Sequence, residues 1–296
     1  MNWWCSSTRQ TWTWVPRPYI GSSLIVGSVV AVALWWLVRG RHSEALATMP
    51  EGSVVTEVGG STTGRTVAFV FGTLGLWACL DWPLASLGAG YLAAAQMTRQ
   101  ILMVMVVAPL LLFACPAPLA VRIVGWGKRL NMLRFMARPI FAVPVAALTL
   151  VAVNAPAVVD PLVRTPYGAF TMDAAWVFAG FVLWLPVQCP HPGVRRLTGG
   201  AALTYLIGQS IVPVLPGFFM TWSDFPIYST YELAPRVFSG FDAVTDQQTA
   251  AAILQVGGMV LLWVQISYRF LKWGYEQMEE GNPRRKTMPG ASPVTP

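Results

Sequence analysis

Residues 94–115 read AAQMTRQILMVMVVAPLLLFAC, an apolar stretch in which Arg99 is the single charged residue. A helix of about 20 residues crosses the roughly 30 Å hydrocarbon core of a bilayer. Backbone polar groups in lipid must be hydrogen-bonded within their own segment, and a continuous apolar stretch meets that requirement as a helix. This stretch therefore predicts a membrane-spanning helix.

Six further stretches of similar length and character lie on either side of it. They cover residues 20–38, 66–87, 139–159, 171–187, 200–220 and 249–268. The sequence thus predicts an all-α, polytopic membrane protein, a seven-transmembrane-helix bundle over residues 20–272. Residues 1–19 are predicted to form an outer N-terminal tail. Residues 273–296, charged and then rich in Pro and Gly, are predicted to form a disordered cytoplasmic tail.

The composition agrees with a membrane protein. Hydrophobic residues make up 55% of the chain, charged residues only 11%, and the mean hydropathy is +0.53. A soluble domain usually carries about 25% charged residues, so this chain lacks the polar residues needed to cover a water-soluble surface. The net charge of +7 does not indicate nucleic-acid binding, because the basic residues are distributed between the apolar segments.

The distribution of basic residues predicts the orientation. With the N-terminus outside and the C-terminus in the cytoplasm, fifteen of the 20 Lys and Arg residues fall in cytoplasmic segments. This bias is the one that membrane proteins show. The outer segments are instead acidic and aromatic, which fits either an aromatic belt with solvated carboxylates or a surface that docks a partner.

Polar residues within spans are costly and are therefore the first candidates for function. Those predicted to lie near the outer surface are within the third and fourth spans or just before the seventh: Gln96, Met97, Gln100, Asn154, Asp246 and Gln247. Two interpretations are open. These groups either form hydrogen bonds that hold the helices together or form a functional site.

No arrangement of residues typical of an enzyme is present, and the chain is predicted not to be one. Met97 and Cys79 are candidate ligands for weak Cu(I) binding, because Cu(I) prefers thioether and thiolate sulfur. A disulfide between Cys5 and Cys79 is an alternative in an oxidising compartment. His191 lies in the sequence CPHP (189–192), where the prolines indicate a rigid turn rather than a metal site.

The run YLAAAQMTRQIL (91–102), followed by APLLL (108–112) and CP (115–116), resembles the signature helix of the CtaG-type cytochrome c oxidase assembly factors. Further matches occur in the expected order: RTVAF (65–69), NAPA (154–157), WLPV (184–187) and DQQ (246–248). The resemblance covers residues 60–272.

The sequence departs from the family pattern at three positions. The third helix of the family typically reads His-Met-x-x-His, and here both histidines are replaced, by Gln96 and Gln100. The histidine before a proline in the fourth helix is Asn154 here. Imidazole suits copper, whereas a carboxamide is a hard, weak ligand for it.

The resemblance implies an assembly factor for a membrane cytochrome c oxidase. It would act at the outer face of the bacterial inner membrane, in copper-centre maturation or subunit assembly. Its implied partners are oxidase subunits or a periplasmic copper carrier, and its implied metal is copper. The alternative is a non-catalytic accessory or structural subunit of a membrane respiratory complex.

Overall fold

The computed structural model describes residues 3–7, 10–39, 62–210 and 214–280, and the regular structure of these residues is entirely helical. The α-helices, in chain order, are α1 Ile20–Arg39, α2 Thr62–Leu80, α3 Leu84–Gly90, α4 Ala93–Leu102, α5 Ala108–Ala114, α6 Ala117–Val124, α7 Lys128–Met136, α8 Pro139–Asn154, α9 Pro156–Val163, α10 Pro166–Gln188, α11 Gly199–Gln209, α12 Val214–Trp222, α13 Ser229–Glu232, α14 Ala243–Ala252 and α15 Gly258–Glu280. Two π-helical turns, Met103–Val107 and Ile253–Gly257, join α4 to α5 and α14 to α15. The predicted all-α class is confirmed for the described residues.

Several helices are long and apolar enough to cross a membrane. Among the described residues these are Thr63–Leu80, Ala93–Ala114, Pro166–Gln188 and Ala243–Met278. A fifth span results if α7 and α8, which meet at 76°, are taken together. The first predicted span is present as α1, of which Ile20–Trp35 is a shorter apolar helix, and the sixth is divided into α11 and α12.

The second predicted span, 66–87, extends too far. Helix α2 ends at Leu80, and α3 is a separate helix. The Asp81 carboxylate accepts hydrogen bonds from the backbone N–H of Trp82 (2.8 Å) and from Trp77 Nε1 (3.0 Å). Pro83 has no N–H with which to continue the helix. A side chain that binds the local backbone, together with a proline, therefore ends the helix.

The fifth and seventh spans are longer than predicted. Helix α10 begins at Pro166 because Thr165 caps it, its hydroxyl accepting from the N–H of Gly168 (3.1 Å). The last helix begins at Ala243, where the Asp242 side chain caps it, and continues to Glu280. Residues 273–280, predicted as part of a disordered tail, are thus helical. The rest of that tail lies outside the described residues.

The π-helical turn Met103–Val107 fixes the third span to its neighbours. Pro109 lacks the N–H that would bind the carbonyl of Met105. Gln265 Nε2 on α15 donates to that carbonyl (3.0 Å), and Trp184 Nε1 on α10 donates to the carbonyl of Val104 (2.9 Å). Backbone acceptors released by the irregular turn are thereby satisfied by side chains of two other helices.

Close backbone approach at Gly168 predicts a large effect of a small substitution. A Cβ at Gly168 would meet backbone atoms of Leu162 on α9, with Cα at 2.7 Å and C at 2.8 Å. Backbone cannot move aside as the end of a side chain can, so we expect Gly168→Ala to lower stability by about 1–3 kcal/mol, as overpacked cores do. Thermal unfolding of the detergent-solubilised protein measures this change.

The matched control is Gly27→Ala in α1, where no atom lies within 4 Å of the added Cβ. Alanine in a helix interior is favoured over glycine by roughly 0.5–1 kcal/mol, so the control is expected to be neutral or stabilising. Equal destabilisation by both substitutions would contradict the proposed steric cause.

Candidate functional site

All six residues of the predicted outer polar cluster are buried at one end of the bundle: Gln96, Met97, Gln100, Asn154, Asp246 and Gln247. The first three lie on α4, Asn154 is the last residue of α8, and the last two lie in the first turns of α14. The structure places them in separate groups of hydrogen bonds, which involve residues that the sequence did not single out.

The centre of this end is a buried ion pair between Arg99 on α4 and Asp173 on α10. Arg99 Nη2 lies 2.8 Å from both carboxylate oxygens of Asp173, and the two side chains are only 3% and 4% exposed. Arg99 Nε also donates to the carbonyl of Cys79 at the end of α2 (2.7 Å). The guanidinium lies over the Trp176 ring, 5.6 Å from its centroid. One cation thus connects three helices.

Gln96 is part of the same network. Its Oε1 accepts from Arg99 Nη1 (2.9 Å), and its Nε2 lies 3.0 Å from the Met172 sulfur. Both ends of this amide are therefore engaged. Met97 and Met172 are each 1% exposed, and the Cys79 side chain is fully buried.

The N-terminal tail closes this network. Trp4 is buried and donates from Nε1 to Asp173 Oδ2 (3.0 Å), while its ring packs edge-on against Phe170 with centroids 5.1 Å apart. The backbone N–H of Ser7 donates to the carbonyl of Val163 (2.8 Å). Residues 3–7 thus cover the ion pair rather than extending away from it. We call the set Trp4, Gln96, Arg99 and Asp173 the arginine network.

The sequence singled out Arg99 only as the one charged residue of the third span, and Asp173 and Trp4 were not identified as part of a site. One signal was present: opposite charges in the outer halves of two predicted spans, at positions 99 and 173. Ionisable groups within membrane segments usually pair with one another, so the ion pair was predictable. The contact of Trp4 had no comparable signal.

Asp246 performs a different task, capping α4. Its Oδ2 accepts from the backbone N–H of Ala93 (2.7 Å) and its Oδ1 from that of Ala94 (3.0 Å). The N-cap residue of α4, Leu92, provides no side-chain bond of its own. A carboxylate from α14 therefore satisfies the first N–H groups of the helix that carries Gln96 and Arg99.

Gln247 and Asn154 anchor the segment 223–242. Gln247 accepts from the N–H of Ile227 (2.7 Å) and donates to the carbonyls of Met220 (3.2 Å) and Phe225 (3.3 Å). The Tyr228 hydroxyl donates to the backbone carbonyl of Asn154 (2.8 Å). These contacts hold the segment across the same end of the bundle.

Gln100 and Asn154 each retain an unpaired oxygen. Asn154 Nδ2 donates within its own helix to the carbonyl of Leu150 (2.7 Å). Its Oδ1 and the Oε1 of Gln100 are buried without a hydrogen-bond partner in the described part of the chain. Gln100 borders a small cavity together with Leu150, Pro216 and Leu254.

The residues at the three family histidine positions do not fit a copper site. The Gln96 oxygen lies 2.9 Å from a guanidinium nitrogen, and that positive charge opposes binding of a cation. Gln100 and Asn154 offer amide oxygens, which are hard ligands, whereas Cu(I) prefers sulfur and imidazole. Among the residues that the structure describes, no three His, Cys, Asp or Glu side chains are grouped to hold a metal ion.

The four cysteines are free thiols, so the alternative disulfide between Cys5 and Cys79 is not formed. Cys5 Sγ lies 3.9 Å from Ser86 Oγ. Burial is the largest influence on the pKa of the Cys5 thiol, and it raises that pKa. At neutral pH this group is therefore protonated, the form that binds metal poorly.

Asp160, in the middle of α9, fixes the start of α13, and its hydrogen bonds predict a pH dependence of stability. Its carboxylate accepts from the backbone N–H of Ser229 (3.2 Å) and of Thr230 (3.0 Å) and from the Ser229 hydroxyl (2.9 Å). Burial by itself would raise the pKa of Asp160, but these hydrogen bonds outweigh it, and the pKa is lowered.

Because the folded-state pKa is below that of the unfolded chain, the carboxylate stabilises the fold above the unfolded pKa, near 4. That contribution is lost as pH falls through the lower folded-state value. We expect Asp160→Asn to remove this part of the acid dependence, at a cost near neutral pH of less than about 1 kcal/mol because water screens the group. Melting temperatures between pH 6 and pH 3 test this, and an unchanged pH profile in the variant would contradict it.

The fold and this polar end define an all-helical membrane protein in which charged and amide side chains are buried between apolar helices. The sequence profile of the cytochrome c oxidase caa3 assembly factor family (Caa3_CtaG) matches residues 34–275. The chain belongs to this family, as its sequence motifs indicated. No curated protein and no solved structure matches it.

Proposed function

We propose that this protein assists the assembly of a membrane cytochrome c oxidase by docking oxidase subunits at its outer face. Family membership supports the role in oxidase assembly. The arginine network is the observation that carries the docking proposal. It engages Gln96 on both sides, so this member of the polar cluster supports the outer surface structurally.

The surface above this network has the character of a docking face. Aromatic side chains on the segments that close this end of the bundle are strongly exposed: Tyr167, Trp222 and Phe225 are 74%, 74% and 70% exposed. Interfaces are enriched in such residues. Segment 223–242, which carries Phe225, is held in place by Gln247, so the surface is preformed.

The proposal places the chain in the bacterial inner membrane as a seven-span protein with its N-terminus outside. Two segments predicted to be cytoplasmic pack together at the end opposite the arginine network. Arg134 Nε donates to the carbonyl of Gly193 (2.9 Å), and the Trp126 and His191 rings are in edge contact. Basic residues are thereby gathered at one end, in the pattern of a cytoplasmic surface.

Labelling with a membrane-impermeant maleimide tests the orientation. After replacement of the four native cysteines by serine, single cysteines are introduced at Phe225 and at Met132, which are 70% and 66% exposed at opposite ends of the bundle. We expect Phe225→Cys to react in intact cells and Met132→Cys to react only after lysis. The opposite pattern would refute the outer location of the docking face.

The alternative to docking of oxidase subunits is that the protein assists maturation of the copper centre of the oxidase. In this chain it would depend on soft sulfur ligands such as Met97 and Cys79, because the three amide positions do not suit copper. Both of these side chains are buried in the core. Copper analysis of protein purified with Cu(I) under reducing conditions separates the two forms. Stoichiometric copper that is lost in Met97→Leu would favour maturation over docking.

Deletion of the gene tests the assembly role directly. We expect less assembled oxidase in the membrane, with restoration by the wild-type gene and by Met97→Leu. Unchanged oxidase content, copper content and haem spectra would disprove the assembly role. Recovery of the chain in fixed ratio with the complete oxidase would instead identify an accessory subunit.

A further inference from the structure

A cleft of about 660 Å³ opens at the end of the bundle opposite the arginine network. It lies between the segment from Met105 to Phe113, the last turn of α10, the first turn of α11 and the face of α15. The hydrogen bond from Gln265 to the carbonyl of Met105 joins two of its walls. The outer-face function does not involve this cleft.

The walls of the cleft are mostly apolar, and its mouth is cationic. Leu110, Phe113, Leu261 and Val264 represent the apolar wall. The charged lining residues are Arg196, Arg269, Lys272 and Glu276. Three cations and one carboxylate leave a net charge of plus two at the mouth.

The two arginines have no carboxylate partner. The ion pairs among the described residues are Arg99–Asp173 and Lys272–Glu276, and the latter, at 3.9 Å, is exposed. Arg196 Nε donates to the carbonyl of Cys189 (2.5 Å). Gln188, with its amide oriented to satisfy both neighbours, accepts from Arg269 Nη2 (2.8 Å) and donates to the carbonyl of Pro109 (3.3 Å). Each guanidinium is thus held by a neutral acceptor and keeps further donors available.

The electrostatics of the mouth favour an anion. Burial lowers the pKa of the Arg196 guanidinium; Cys189 opposes this shift, and the nearby charge of Arg65 adds to it. Cations brought together without a counter-ion are stabilised when an anion binds between them. Helix α11 begins at Gly199 in the cleft wall, and the partial positive charge of its N-terminus adds to this field.

We infer that the cleft is a binding site for an anionic phospholipid, whose phosphodiester lies between Arg196 and Arg269 and whose acyl chain follows the apolar wall. A basic pocket between membrane helices with an apolar continuation matches both parts of such a lipid. Trp273 also lines the cleft, and tryptophan side chains are enriched at the level of the lipid headgroups. A free phosphate would use the cations alone and leave the apolar wall unoccupied.

Binding to the full-length protein in neutral detergent tests the inference, with native mass spectrometry and thermal shift as readouts. The probes are long-chain phosphatidylglycerol, phosphatidylcholine of the same chain length, dihexanoyl phosphatidylglycerol and inorganic phosphate. We expect retention and thermal stabilisation with long-chain phosphatidylglycerol only. Equal effects of phosphatidylcholine would refute the role of charge, and equal effects of phosphate or the short-chain lipid would refute the role of the apolar wall.

Substitutions locate the site. Loss of one charged hydrogen-bond partner weakens binding about tenfold to a hundredfold, and we expect Arg196→Gln and Arg269→Gln each to do so. The matched control is Arg195→Gln, an exposed neighbour that does not line the cleft, and it should bind as wild type. Arg269→Lys keeps the charge and should keep the preference for phosphatidylglycerol. Wild-type binding by Arg196→Gln, or loss of that preference in Arg269→Lys, would overturn the assignment.

Discussion

Asp173→Asn is expected to destabilise the protein by about 3–5 kcal/mol, the usual cost of breaking a buried ion pair by removing one partner. The substitution is nearly isosteric, so packing is retained while Arg99 keeps its charge in a site that is 3% exposed. The hydrogen bond from Trp4 also loses its charged acceptor. Thermal unfolding in detergent should show a large fall in the melting temperature.

Two variants establish the cause of that fall. Arg99→Met combined with Asp173→Leu removes both charges, and we expect it to recover much of the stability, because replacement of a buried pair by apolar residues is often neutral. Asp224→Asn changes an exposed carboxylate at the same end of the bundle and should leave the melting temperature unchanged. If Asp173→Asn behaved like Asp224→Asn, the ion pair would not hold this end of the bundle together.

Asp246→Ala is expected to cost about 3 kcal/mol. It leaves the N–H groups of Ala93 and Ala94 without their acceptor, and a buried unsatisfied group costs about 1–3 kcal/mol. The start of α4 should then fray. Hydrogen exchange of these two amides, measured by mass spectrometry of the peptide that contains them, should accelerate together with the loss of thermal stability.

The graded control is Asp246→Asn, which keeps one acceptor oxygen and should lose less stability than Asp246→Ala. Asp242→Asn is the matched comparison, because Asp242 caps α14 through the N–H of Thr245 (2.7 Å) but is exposed to water. It should have a much smaller effect. Faster exchange at Ala93 and Ala94 in Asp242→Asn, or none in Asp246→Ala, would contradict the capping role.

Much of this molecule was predictable from local patterns. The span 94–115 is present as Ala93–Ala114, the class is all-α in the described residues, and the family was recognisable from the third-helix motif. The burial of Gln96 and Gln100 agrees with their place in an apolar segment, whereas Asp246, predicted just outside the seventh span, is buried in a helix that begins earlier, at Ala243. Helix ends were harder to predict, as at Asp81, because a hydrogen bond from the backbone N–H of Trp82 to the carboxylate outweighed the continuing apolar pattern.

Apart from the Arg99–Asp173 pair, the partners of the buried polar groups could not be predicted from the sequence. Six residues were predicted as one cluster, but Gln96 joins Arg99, Asp246 caps α4, and Gln247 holds segment 223–242. These tasks depend on the rotation and depth of each helix relative to its neighbours, to within the length of a hydrogen bond. The spacing of hydrophobic residues along a helix does not determine its rotation or its depth to that precision.

The sequence by itself determined that the chain is a helical membrane protein and which family it belongs to. These follow from properties that each segment carries alone, since the transfer of an apolar stretch into lipid depends on its own side chains. Only the tertiary structure decided that Trp4 covers the Arg99–Asp173 pair and that Arg196 and Arg269 line the same cleft. Those contacts join residues far apart in the chain, and only the packing of the helices brings them together.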